Sequence, residues 1–110
     1  MKLSEIAKAF SVVNLADGER EAEGVFCCDL LSAAMGKAPS GSVWVTLMAN
    51  VNTLAVASLA DVSCIILAEG VSFDEAAVAK AREQDITVFS SDAPVFQTAL
   101  RVYEMINGAA

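Results

Sequence analysis

Residues 42–68 read SVWVTLMANVNTLAVASLADVSCIILA. Two runs rich in branched and aromatic residues, Val43 to Leu47 and Val62 to Ala68, enclose a stretch in which Val51, Leu54, Ala55 and Leu59 share one helical face. Asn50 or Asn52 is placed to cap that helix, since a short side-chain oxygen can accept an otherwise unbonded first-turn amide. The second run is continuously apolar rather than alternating, which fits a strand covered on both faces, as in a parallel sheet. Strand, helix and strand with short connections make a right-handed βαβ crossover.

The same alternation continues toward the C-terminus. Gly70 ends the second strand, and SFDE at Ser72 to Glu75 predicts a capping box opening a helix to about Asp85. Ile86 to Phe89 predicts the last strand, and Ser91, Asp92 and Pro94 open a final helix that Gly108 closes. Toward the N-terminus, Gly24 to Asp29 predicts a strand, Leu30 to Met35 a single helical turn, and the turn-rich Gly36 to Ser42 a connection. Leu3, Ile6 and Phe10 describe a short amphipathic helix, Ser11 to Leu15 (SVVNL) a strand whose partner the sequence leaves open, and the charged Ala16 to Glu23 a solvent loop. The expected fold is an α/β three-layer domain with a mostly parallel sheet of about four to five strands and helices on both faces, formed by residues 1–110 as one unit.

Seven Lys and Arg against 14 Asp and Glu give a net charge of −7, with the basic residues scattered. Such a chain repels nucleic-acid phosphates and anionic lipid surfaces, so neither is an expected partner. Mean hydropathy is +0.53, yet Asn50, Asn52 and Asp61 interrupt the richest region, so no apolar run of about 18 residues predicts a membrane span. Glu5 and Lys8 break the apolar pattern of the first ten residues, which therefore do not read as a signal peptide. The expected location is cytoplasmic.

No histidine is present, which removes the commonest general base and the usual partner of a serine or cysteine nucleophile. No phosphate-binding glycine loop occurs. No catalytic residue, cofactor or metal site is expected. Cys27, Cys28 and Cys64 sit inside apolar runs and read as reduced core residues. Adjacent cysteines on a strand point to opposite faces, so Cys27 and Cys28 do not converge on one ion or readily bond to each other. A thiol redox role is the alternative reading of that pair.

Parallel strands end along one rim, where α/β sheets tend to bind ligands. The candidate ligand set there is Asp29, Ser32, Thr46, Asn50, Glu69, Ser90 and Ser91, with capping of the Leu30 to Met35 turn as the plainer role for Asp29. The final helix carries two apolar stripes, Val95, Ala99, Val102 and Ile106 on one face and Phe96, Leu100 and Tyr103 on another. A helix lying on one sheet needs only one stripe. Val95, Phe96, Ala99, Val102, Tyr103 and Ile106 are therefore the candidate dimer interface, unless the first helix covers the second stripe within the monomer.

The strand GVFCCD, the following DLLS, the turn-rich segment, SVWVT, an Asn-started helix, an apolar strand and the ITVFSSD strand end together resemble stand-alone DRTGG-domain proteins over nearly the whole chain. The acidic-basic-Thr-Gly-Gly stretch that names that family corresponds here to GEREAEG, which keeps at most Gly24. The resemblance implies a fold similar to the N-terminal domain of HPr kinase/phosphorylase, which also occurs as an accessory domain in phosphotransacetylases and in CBS-containing pyrophosphatases. It implies a regulatory or ligand-sensing, protein-interaction role without chemistry of its own, often within an oligomer interface. The expected partners are a second copy, another protein, or a small-molecule or nucleotide effector, and a small enzyme of unknown reaction is the competing class.

Overall fold

A computed structural model describes residues 1–108. In chain order the elements are α1 (Leu3–Ile6), β1 (Ser11–Asn14), β2 (Gly24–Cys27), α2 (Leu31–Lys37), β3 (Ser42–Thr46), α3 (Val51–Ala60), β4 (Cys64–Leu67), α4 (Glu75–Glu83), β5 (Val88–Ser90) and α5 (Val95–Asn107). They form an α/β unit with one five-stranded sheet of order β1-β5-β4-β3-β2. The pairs β2–β3, β3–β4 and β4–β5 are parallel, and β1 is antiparallel to β5.

The strands at the centre, SVWVT and CIIL, are buried at every position. Burying such a side chain is worth about 1.5–3 kcal/mol, and a pleated strand sends successive ones to opposite faces. Trp44, Ile65, Leu67 and Val88 accordingly pack with Ala34, Leu54, Ala57, Ala77 and Ala81 of α2, α3 and α4. Val43, Val45, Cys64, Ile66 and Phe89 pack instead with Leu3 and Ile6 of α1 and Val102 of α5. Strand order runs monotonically from β2 to β5, so the three right-handed crossovers put α2, α3 and α4 together. Only after β5 does the chain send its next helix into the second cluster.

Local signals explain most boundaries. The Asn50 side chain accepts the Asn52 amide at 2.9 Å, as expected of the α3 cap. The capping box at Ser72 does not form: Asp74 caps α4 by accepting the Ala77 amide at 2.8 Å. Phe73 is pulled into the core, and the helix starts only once that side chain is inside. Pro94 is the N-cap of α5 rather than its first helical residue, and Gly108 closes the helix at φ 65°.

The charged segment before β2 is a strap rather than a free loop. The Met1 ammonium meets Glu21 and the Lys2 ammonium meets Glu19, each at 2.7 Å, while the Leu3 and Ser4 amides donate to the Arg20 and Gly18 carbonyls. Each exposed pair contributes little alone. Together with the backbone bonds they fix α1 over the sheet.

Candidate functional site

The predicted rim is present, but most of its polar groups are spent on the fold. Asp29 does not cap α2, whose N-cap is Leu30 with no side-chain bond. Its Oδ1 accepts the Thr46 hydroxyl and the Leu47 amide, both at 2.8 Å, and so clamps the end of β3 to the segment after β2. Thr46 is fully buried, and its Oγ1 also accepts the Met48 amide at 3.2 Å. Asn50 is occupied as the α3 cap. Ser32 is exposed in the first turn of α2.

In the middle of the rim the chain closes on itself. Glu69 and Gly70 take left-handed φ values of 58° and 73°. That turn lets the Glu69 amide donate to the Ala93 carbonyl at 2.9 Å and the Gly70 amide to the Ser91 carbonyl at 3.0 Å. An open α/β sheet forms a crevice where successive connections diverge to opposite faces. Here the three crossovers from β2 to β5 stay together, so the topology makes no such switch point at the C-terminal ends of β2, β3 or β4.

The divergence comes at β5. A cavity of about 270 Å³ opens there, lined by Phe10, Ser11, Ser90, Ser91, Asp92 and Arg101. Of the seven predicted rim residues, Ser90 and Ser91 reach it. The Ser91 hydroxyl lies 2.9 Å from that of Thr98 and accepts the Ala93 amide at 3.2 Å, so it is oriented by α5. The Arg101 guanidinium lies 5.2 Å from the centroid of the Phe10 ring, a cation–π stack that holds it at the mouth. With no side-chain cap on α5, its first amides also face this end of the sheet. The arrangement suits a small anion, opposed by the single carboxylate of Asp92. Arg101, Phe10 and Ser11 were not predicted; the available signal was a lone cation on the flank of the last helix away from its second apolar stripe.

A larger cavity, about 510 Å³, lies at the opposite rim, where sequence reasoning placed nothing. Asp17, Arg20, Asp61, Gln84, Asp85 and Thr87 are among its lining residues. Arg20 is already engaged, donating to the Asp61 carbonyl at 2.8 Å and meeting its Oδ1 at 3.0 Å, while Ser40 donates to Oδ2 at 2.7 Å. The Ser40 bond, then Arg20, holds the Asp61 carboxyl below its usual range. Two helix C-termini and three carboxylates make this cleft unfavourable for anions.

The cysteines divide by environment. Cys64 is fully buried, as expected, and burial pushes its thiol up to about 12. Cys28 is half-buried, packs against the cluster of Trp44 and donates its thiol to the Leu30 carbonyl at 3.4 Å. Cys27 departs from the core reading: β2 is the end strand of the sheet, and its last residue is exposed. Partial desolvation first, and the Asp29 charge second, raise its thiol pKa. Less thiolate at neutral pH works against redox chemistry. Among the described residues no group of three His, Cys, Asp or Glu side chains could hold a metal ion.

The face of α5 carrying Val95, Ala99, Val102 and Ile106 packs on the sheet, with Val102 fully buried. Those four candidate interface positions belong wholly or partly to the monomer's core. Phe96, Leu100 and Tyr103 stay 72%, 41% and 57% exposed, so α1 does not cover the second stripe.

A parallel run closed by one antiparallel strand, with a long last helix under the sheet, defines a domain of DRTGG-like fold. The chain is similar to the CBS and DRTGG domains of the regulatory region of a Clostridium perfringens pyrophosphatase, a structure solved in complex with the activator diadenosine tetraphosphate. The TM-score is 0.68 and the identity 17%, over 93% of this chain and 45% of that one. This chain thus spans less than half the length of that neighbour. No family profile matches the chain, and no curated protein matches it by sequence. No described helix is long and apolar enough to cross a membrane.

Proposed function

We propose that residues 1–110 form a single, non-catalytic regulatory module, a three-layer DRTGG-like domain of the cytoplasm that acts by associating with a second copy of itself. The carrying observation is the exposed stripe of Phe96, Leu100 and Tyr103 on a helix whose other stripe is already buried. Leaving such area in water is disfavoured by about 25 cal/mol for every Å² a partner could cover. The neighbour's regulatory character and the absence of histidine support a role without chemistry. A dimer that folds as it associates melts at a temperature that rises with protein concentration. The native chain is expected to show that rise and a Tyr103→Glu variant to lose it; a concentration-independent melt in the native chain would refute the reading.

A second reading, an effector site for a small anion or nucleotide, is favoured by the cavity at the end of β5 with Arg101 at its mouth. The neighbour's complex with a polyphosphate dinucleotide is in keeping with it. Diadenosine tetraphosphate or pyrophosphate is expected to raise the melting temperature of the native chain but not of Arg101→Ala. A shift retained by that variant would place the site elsewhere.

A further inference from the structure

The two edges of the sheet are treated differently by the sequence. A strand edge offers unpaired amides and carbonyls to any other strand, and soluble proteins blunt it with bulges, charges or proline. The β1 edge is blunted: its register against β5 breaks between Val12 and Asn14, and the Asn14 side chain turns in to donate to the Ile86 carbonyl at 2.8 Å. The β2 edge is not. Gly24, Val25, Phe26 and Cys27 pair with β3 in unbroken register, and the strand contains no charge, proline or bulge.

Helix α5 crosses the sheet beneath β2 and β3. One flank of it, through Arg101, lies against Phe10 on the β5 side. Phe96, Leu100 and Tyr103 occupy the opposite flank, about 100–160° around the helix from Arg101, and therefore point out past the β2 edge. An unpaired strand and an apolar helix flank thus adjoin along one side of the domain. Neither carries a charged side chain, on a chain whose net charge is −7.

We propose that a second copy docks along β2, pairing antiparallel about a two-fold axis so that the two sheets become one ten-stranded sheet, with the α5 flanks closing over the seam. This rests on the self-association reading above and specifies its surface. Two-fold antiparallel pairing sets a strand opposite its own copy, so no complementary edge is required elsewhere, and the contact closes instead of propagating. Two chains of the same negative sign meet with least repulsion through an uncharged patch, whereas a basic partner would be drawn to an acidic one. Phe96, Leu100 and Tyr103 together offer roughly 300 Å² per copy, judged from the 150–250 Å² a buried aromatic covers. The remainder of the roughly 800 Å² per partner of a stable pair would have to come from the β2 edge and the residues flanking it.

Hydrogen exchange on the native full chain, read beside sedimentation, tests the proposal. In the dimer, the β2 amides that point away from β3 should exchange at least about tenfold more slowly than in the diluted monomer. A Cys27→Lys variant, which places a natural edge guard at an exposed position, should stay folded and sediment as a monomer. A native dimer whose outward β2 amides exchange at free rates, dissociated by Tyr103→Glu but not by Cys27→Lys, would overturn the β2 pairing and leave self-association through α5 standing. A native monomer at high micromolar concentration would overturn both.

Discussion

Replacing Asp29 by alanine should cost far more than an exposed carboxylate ordinarily does. The substitution removes the acceptor of two hydrogen bonds, from the buried Thr46 hydroxyl and from the Leu47 amide, both at 2.8 Å. A bond to a charged acceptor contributes about 1.5–3 kcal/mol, and stranding a buried donor costs about 1–3 kcal/mol. Since Asp29 itself is exposed and water can partly replace it, we expect a net loss of about 3 kcal/mol, or on the order of 10 °C in a domain of this size. Asp29→Asn keeps a carbonyl oxygen in place and should lose about 1 kcal/mol. Thr46→Val removes the buried hydroxyl, so the Asp29→Ala, Thr46→Val double variant should be less destabilised than the two single effects added, by about 1 kcal/mol. Urea unfolding of the native chain and the four variants reads these differences. If Asp29→Ala melts within about 2 °C of the native chain, Asp29 is not a structural clamp, and its carboxylate is again available to a ligand.

Three further outcomes follow from the cysteines and the backbone. The buried Cys64 thiol titrates near 12 when folded against 9.0 in its ordinary state, so between those values the unfolded chain holds fewer protons and stability falls as pH rises. The decline in that window should approach about 1.4 kcal/mol per pH unit and flatten in Cys64→Ala, as measured by unfolding at pH 8, 9.5 and 11. Cys27, with its raised pKa, should be labelled by iodoacetamide at neutral pH more slowly than an unstructured cysteine, and faster as pH rises, whereas Cys64 should not be labelled until the protein unfolds. Asp85 is exposed at φ 57° with no side-chain hydrogen bond among the described residues, so Asp85→Gly should raise stability by about 0.5–1 kcal/mol; a loss in thermal unfolding would mean that its side chain does more than end α4.

The order of elements was legible because periodicity reports burial. The continuous run at Val62 to Ala68 fitted a strand covered on both faces, and the structure buries every one of its residues. Asn50 was legible as a cap because its role is local. Asp29 was not, because its partners lie 17 and 18 residues away and depend on the register of β2 against β3. The shift of the α4 cap from Ser72 to Asp74 reflects Phe73, whose burial outweighs one favourable cap. Cys27 looked like a core residue from its neighbours, but strand order decides which strand lies at the edge, and composition does not encode that order. The rim was inferred correctly from the parallel order, whereas its closure between β4 and β5 depends on two consecutive left-handed residues, of which only Gly70 announces itself. Arg101 reaches its cavity through the path of α5, which no local pattern specifies.

The proposed self-association uses the side of the domain where Phe96, Leu100 and Tyr103 stand exposed. Sedimentation equilibrium of the native chain from nanomolar to high micromolar concentration measures it directly. A reversible transition from the 11.5 kDa chain to twice that mass is expected, with no larger species, and a Phe96→Glu, Tyr103→Glu variant that stays folded at the single-chain mass throughout. A native chain that remains at 11.5 kDa over the whole range, or a folded variant that still doubles its mass, would contradict it.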